Sequence, residues 1–188
     1  MAGKRPRPGG GAKQPESRAG PKITMMWTYR ASPGELWDLW TTKDGLESWW
    51  GPEEFVMRTR KLELRPGGVF EYAITAMDVP QVEALTEAGI PITRISRLTF
   101  LELVPRKRIS YKIGIDYIPE VKPYDVSTTI EFNPVDKAVK MLVAQEPMHS
   151  AEWTQTLALS LDKQFNRLGK VIQARRDAEE EAKPSTSP

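Results

Sequence analysis

The sequence contains no cysteine, which excludes disulfides, thiolate nucleophiles and Cys-ligated zinc or iron–sulfur centres and fits a reducing compartment. His149 is the only histidine in 188 residues, so any zinc site or dyad that needs two histidines is excluded as well. No run approaches the ~18–20 consecutive apolar residues needed to span a bilayer, and the N-terminus lacks the apolar stretch of a secretory signal. Phosphate-binding Gly loops, nucleophile elbows, paired-carboxylate motifs and metal-ligand spacings are also missing; Arg65-Pro66-Gly67-Gly68 is turn chemistry. These absences lead us to expect a cytoplasmic chain without membrane insertion, cofactor or metal.

Charge is nearly balanced, with 27 Lys and Arg against 25 Asp and Glu. The balance is uneven along the chain. Met1 to Lys22 carries Lys4, Arg5, Arg7, Lys13, Arg18 and Lys22 against Glu16 alone, a local charge of +5 within a whole-chain +2, so the body is acidic by −3. The basic pI therefore belongs to the leader, and the body offers no electrostatic case for nucleic acid. Rich in Gly, Pro and charge, residues 1–22 cannot offset their ordering entropy and are expected to be disordered. They are a solvated leader, a start assigned upstream of Met25 or Met26, or a weak polyanion-binding arm.

With 39% hydrophobic residues, the remainder is enough for one self-sufficient core. Ile23 to Arg30 is β-rich, and Ser32-Pro33-Gly34-Glu35 then signals a helix start, with Ser32 as cap, Pro33 at the first position and Glu35 closing a capping box. That helix runs to about Thr41, and a second spans Lys43 to Trp49. From Phe55 the hydrophobic period becomes two. Phe55 to Leu64 and Val69 to Ala76 flank the Arg-Pro-Gly-Gly turn as a hairpin. Val79 to Ala88 reads as a helical insertion closed by Gly89 and Pro91. Strands resume at Arg94 to Val104 and Arg108 to Tyr117, the latter with Ile109, Tyr111, Ile113, Ile115 and Tyr117 on one face. Asp125 to Asn133 points Val126, Thr128, Ile130 and Phe132 inward, and Ala138 to Gln145 follows a turn at Asn133-Pro134. Ser150 to about Arg176 has the longest helical pattern, with Trp153, Leu157, Leu161, Phe165, Leu168 and Ile172 at three- and four-residue intervals. Residues 177–188 are expected to be disordered. The domain therefore spans 23–176, an α+β arrangement of about seven antiparallel strands curling around a long C-terminal helix that fills the groove only partly.

The residues themselves then become familiar. Ser32-Pro33-Gly34-Glu35-Leu36-Trp37 through Trp49-Trp50-Gly51-Pro52, followed by Leu64-Arg65-Pro66-Gly67-Gly68-Val69-Phe70, resembles the signature of the activator of Hsp90 ATPase homologue-like (AHSA1-type) family of the SRPBCC, START or Bet v 1-like superfamily. Phe100 to Tyr111, with Glu102, Pro105 and Tyr111, is similar to that family's strand-turn-strand, and Trp153, Leu157 and Leu161 are similar to its closing helix. The resemblance implies the helix-grip fold and a cavity between sheet and helix. Two departures stand out: Ala76 to Arg94 is longer than usual and could form a lid, and Glu152 replaces a common Gly.

Cavity candidates are Trp49, Trp50, Phe70, Tyr72, Tyr111, Ile113, Tyr117, Trp153 and Leu157: indoles and phenols that can stack and hydrogen-bond, among aliphatic neighbours. Each has a plain alternative as a core or rim residue, and at least one of the adjacent Trp49 and Trp50 should serve packing. Arg58 and Arg60, on one strand face with Val56 and Leu62, could anchor an anion; a solvated face beside Glu63 and Glu71 explains them equally. His149 near Glu146, Glu152 and Asp162 could form an acid–base pair, or simply precede Ser150 where it caps the helix. Three functions follow. The first is binding of a small apolar or amphipathic molecule, by a monomer or homodimer. The second, implied by the resemblance, is partnership with an Hsp90-type chaperone. The third is a cyclase or lyase using the same cavity.

Overall fold

The computed structural model describes residues 22–182 except 52, 54, 88, 117 and 119. The expectations for residues 1–21 and 183–188, and for Tyr117, lie outside the described residues. In chain order the elements are β1 (Ile23–Tyr29), α1 (Pro33–Thr41), α2 (Lys43–Trp49), β2 (Phe55–Leu62), β3 (Val69–Ala76), α3 (Val79–Glu87), β4 (Thr93–Val104), β5 (Arg108–Ile115), β6 (Tyr124–Val135), β7 (Ala138–Gln145) and α4 (Ala151–Glu181). The strands form one curved antiparallel sheet ordered β1-β7-β6-β5-β4-β3-β2. α1 and α2 carry the chain from one sheet edge to the other, and every other strand connection joins neighbours.

Local chemistry sets the boundaries. Ser32 and Glu35 close the capping box on α1, with the Ser32 amide donating to the Glu35 carboxylate at 2.5 Å and the Glu35 amide to the Ser32 hydroxyl at 3.2 Å. Pro66 and Gly67 turn β2 into β3, with Gly67 at φ +76°. Gly68 is obligatory for a different reason: a Cβ there would stand 2.2 Å from the Glu63 carbonyl oxygen. The third strand locks the turn, because the Gly67 amide donates to the Phe100 carbonyl (2.8 Å) and the Phe100 amide to that of Gly68 (2.9 Å).

Two boundaries and the register of one strand are among the differences from the sequence expectation. The β6–β7 turn lies at Asp136 and Lys137, with Asp136 at φ 52°, and not at Asn133-Pro134. Pro134 is tolerated inside β6 because β5 pairs with that strand only as far as Glu131, so no ladder bond on that side needs its missing N–H. α4 continues to Glu181, beyond the expected end near Arg176, because Ala, Glu and Arg are strong helix formers and Arg176 meets Glu180 one turn on. In β2, Thr59 opposes Tyr72 and Lys61 opposes Glu71, so Arg60 is the extra residue of a bulge. The bulge reverses the alternation. Leu62 joins the core side, opposite the face that carries Arg58.

The core lies between the concave face of the sheet, α1, α2 and the second half of α4. Leu36, Leu39, Trp40, Leu46 and Trp49 from the short helices meet Phe165, Leu168 and Ile172 of α4. Tyr29 ties the layers together, its hydroxyl donating to the Phe165 carbonyl at 2.8 Å.

Candidate functional site

α4 is buried along only part of its length. Leu161, Phe165, Leu168 and Ile172 are buried, whereas no residue from Ala151 to Ser160 is. At 1.5 Å per residue the unburied stretch is about 15 Å long, and it meets the sheet through the half-buried Trp153 and Leu157, which pack on Ile115 and Val126. Beneath it lies a chamber of about 620 Å³, a volume suited to a small organic ligand. Its floor is the concave face of β3 to β7, and its roof is Leu157, Ser160, Leu161 and Gln164.

The sheet also opens at this place. β3 and β4 stay paired to Thr75–Thr93, and β5 and β6 to Ile115–Tyr124, but β4 and β5 part after Leu98–Ile113. Residues from both faces consequently line the same space: Tyr72 and Tyr111 from the concave face, Glu71, Arg97 and Lys112 from the convex one. Ion pairs flank the gap, Arg97 to Glu71 at 2.7 Å and Lys112 to Asp125 at 2.6 Å. The Arg97 guanidinium, bonded to the Glu71 carboxylate, holds that carboxyl below its ordinary range.

The two adjacent tryptophans have separate roles. Trp49 is fully buried, donates its indole N–H to the Leu39 carbonyl at 2.9 Å and packs on Trp40 and Phe165. Trp50 turns the other way and lines the chamber, edge-on to Phe70, Tyr72 and Tyr111 at 5.6, 5.9 and 6.1 Å. Tyr72, Tyr111, Ile113 and Leu157 also line it. Phe70 stacks on Tyr72 at 4.7 Å behind the wall, and Trp153 packs in a satellite cluster with Ile115, Ile118, Val126 and Met148; neither is among the lining residues. Burial raises the Tyr111 phenol well above its ordinary pKa, so it is a neutral group throughout the physiological range.

Arg58 and Arg60 are not among the residues that line the chamber, although Arg60 pairs with the lining residue Glu71. The first pairs with Glu47 and the second with Glu71, each at 3.3 Å, and both are exposed. The bulge turns Leu62 to the core face, while Val56 stays on the face of Arg58. His149 is likewise outside the lining. Its Nδ1 meets the Tyr124 hydroxyl at 3.0 Å, and its ring lies against Trp153. Of the expected carboxylate partners, Glu146 instead accepts the Ser127 amide at 3.1 Å. Ser150 caps α4, accepting the Trp153 amide at 3.3 Å. Among the described residues, no group of three His, Cys, Asp or Glu is placed to hold a metal ion, and no helix is long and apolar enough to cross a membrane.

Sequence reasoning missed Gln145 and Gln164, and it placed Thr128 inward without assigning it to a site. Thr128 and Gln145 are 2% and 4% exposed and line the chamber. The available signal was a polar residue on the inward parity of an otherwise aliphatic strand.

Residues 30–173 match the family model described as activator of Hsp90 ATPase homolog 1-like protein. No protein of curated function matches in sequence. Several solved structures share the fold. A Chromobacterium violaceum protein is 22% identical with a TM-score of 0.64, over 80% of this chain and 96% of that one. A Mycobacterium smegmatis protein is 17% identical with a TM-score of 0.62, over 82% and 92%. The AHSA1 protein of Silicibacter pomeroyi is 11% identical with a TM-score of 0.64, over 82% and 99%. With the family model covering most of the chain, the helix-grip sheet and its WWG and RPGG turns identify the protein as a member of the activator of Hsp90 ATPase homolog 1-like family.

Proposed function

We propose that this protein is a cytoplasmic binder of a small hydrophobic or amphipathic molecule. The chamber under the first half of α4 carries this reading: aromatic and aliphatic walls, a few inward polar groups and an opening through the sheet. A helix buried along its whole length would remove more apolar surface from water, so a roof that touches the floor at Trp153 and Leu157 but leaves space beside them forgoes stability in exchange for that space. Native mass spectrometry of the protein from its own host tests the reading. The expected spectrum shows a co-purifying species of a few hundred daltons, released by organic solvent, that raises Tm when added back. Ligand-free mass alone, together with no shift from any apolar or amphipathic probe, would contradict it.

The description of the family supports a second reading, partnership with an Hsp90-type chaperone. Stimulation of that chaperone's ATPase by the purified protein would favour it, and an unchanged ATPase rate would reject it.

A further inference from the structure

One row of the concave sheet face is polar. Tyr111 on β5 stands directly opposite Thr128 on β6, and Thr128 directly opposite Gln145 on β7. The next row on one side is Ile109, Ile130 and Val143; on the other side Ile113 meets Val126. All three polar side chains are at most 4% exposed and face the chamber. Placing polar groups in the middle of an aliphatic sheet face costs stability unless they are hydrogen-bonded, and any bonding capacity they keep is directed at whatever fills the space.

The direction of these bonds is fixed by chemistry. The Thr128 hydroxyl donates to the Gln145 carbonyl oxygen, and the Gln145 amide nitrogen faces the Glu146 carbonyl at 3.5 Å. The opposite amide orientation would set two carbonyl oxygens against each other. Thr128 has a single proton, already given to Gln145, so toward the Tyr111 hydroxyl on the strand position opposite it Thr128 can only accept. The chain therefore runs Tyr111 to Thr128 to Gln145. It leaves acceptor capacity on the Tyr111 oxygen at one end and the second amide N–H of Gln145 at the other.

We propose that the Tyr111–Thr128–Gln145 row is the polar recognition site of the chamber and selects ligands bearing a neutral hydroxyl, alcohol or phenol, over carboxylates and over plain hydrocarbons. This rests on the reading of the chamber as a ligand site. A hydroxyl can donate to the Tyr111 oxygen while accepting from Gln145. A hydrocarbon leaves both unmet. A carboxylate, which only accepts, meets the Tyr111 lone pairs, and the lining cations Arg97 and Lys112 are already paired with Glu71 and Asp125.

Calorimetric titration with 4-butylphenol, 4-butylbenzoate and butylbenzene, which share one apolar body, tests the proposal. The phenol should bind about tenfold more tightly than the other two, the scale of one or two net hydrogen bonds. Thr128→Val, which keeps the β-branched shape, and Gln145→Met should each remove that preference, with folding checked by thermal melting. Equal binding of phenol and benzoate, tighter binding of benzoate, or a phenol preference that survives both substitutions would overturn the selectivity while leaving the ligand-binding reading intact. Failure of all three compounds to bind the folded protein would overturn both.

Discussion

Tyr29 and Tyr111 show how a single buried hydroxyl serves different ends. Burial raises both phenols far above the ordinary value near 10, with Asp162 adding to the effect at Tyr29. Below about pH 10 each is neutral in both the folded and the unfolded chain, and its contribution is fully present. Above that, the unfolded chain ionises and releases protons that the fold retains, so stability falls as pH rises. Melting temperature should be level from about pH 7 to 9 and decline beyond about 10, less steeply in the Tyr29→Phe, Tyr111→Phe double variant than in the parent. An equal slope in both would contradict the assignment. At neutral pH, Tyr29→Phe alone should cost about 1 kcal/mol, since it leaves the Phe165 carbonyl without its partner. Single residues were legible where periodicity was clean: alternation along β5 placed Tyr111 and Ile113 inward, and helical spacing put Leu157 on the inner side of α4. Gln145 was not, because a polar residue at a strand end reads as the beginning of a loop.

At the scale of elements, α3 is the piece the rest of the fold uses least. It contributes no buried residue, and around it Met77, Val79, Ile90 and Ile92 are exposed. Its existence was legible from helix formers between Asp78 and Gly89, because a helix needs only local signals. Replacing Val79–Glu87 with a short Gly-Ser linker should shift Tm by no more than a few degrees, since little apolar area is lost; a collapse of the transition would show that α3 holds the β3–β4 hairpin together. The β2 bulge illustrates the opposite case. One extra residue reverses side-chain parity, and nothing in Met57 to Leu62 marks Arg60 as unpaired, so Leu62, expected on the face of Arg58, lies on the core side. The β6–β7 turn failed for a related reason: Asn-Pro is a turn signal, but where a neighbouring strand has already ended a proline needs no partner.

For the molecule as a whole, the architecture could be read from order and pattern, because seven alternating segments and one long amphipathic helix leave few ways to bury both. The chamber could not. It arises from two negative features, a helix with no fully buried residue among its first ten and a pair of strands that part after Leu98 and Ile113, and neither an unmade contact nor an unmade ladder bond has a residue signature. The family supplies the fold, and the proposed ligand binding rests on the chamber itself. NMR of isotopically labelled protein titrated with 4-butylphenol tests that claim most directly. The account predicts shifts at the Trp50 indole, the Ile113 and Leu157 methyls and Thr128, with Arg58, Arg60 and α3 unmoved. Shifts confined to the exposed apolar residues around α3, or none at the chamber at saturating phenol, would contradict it.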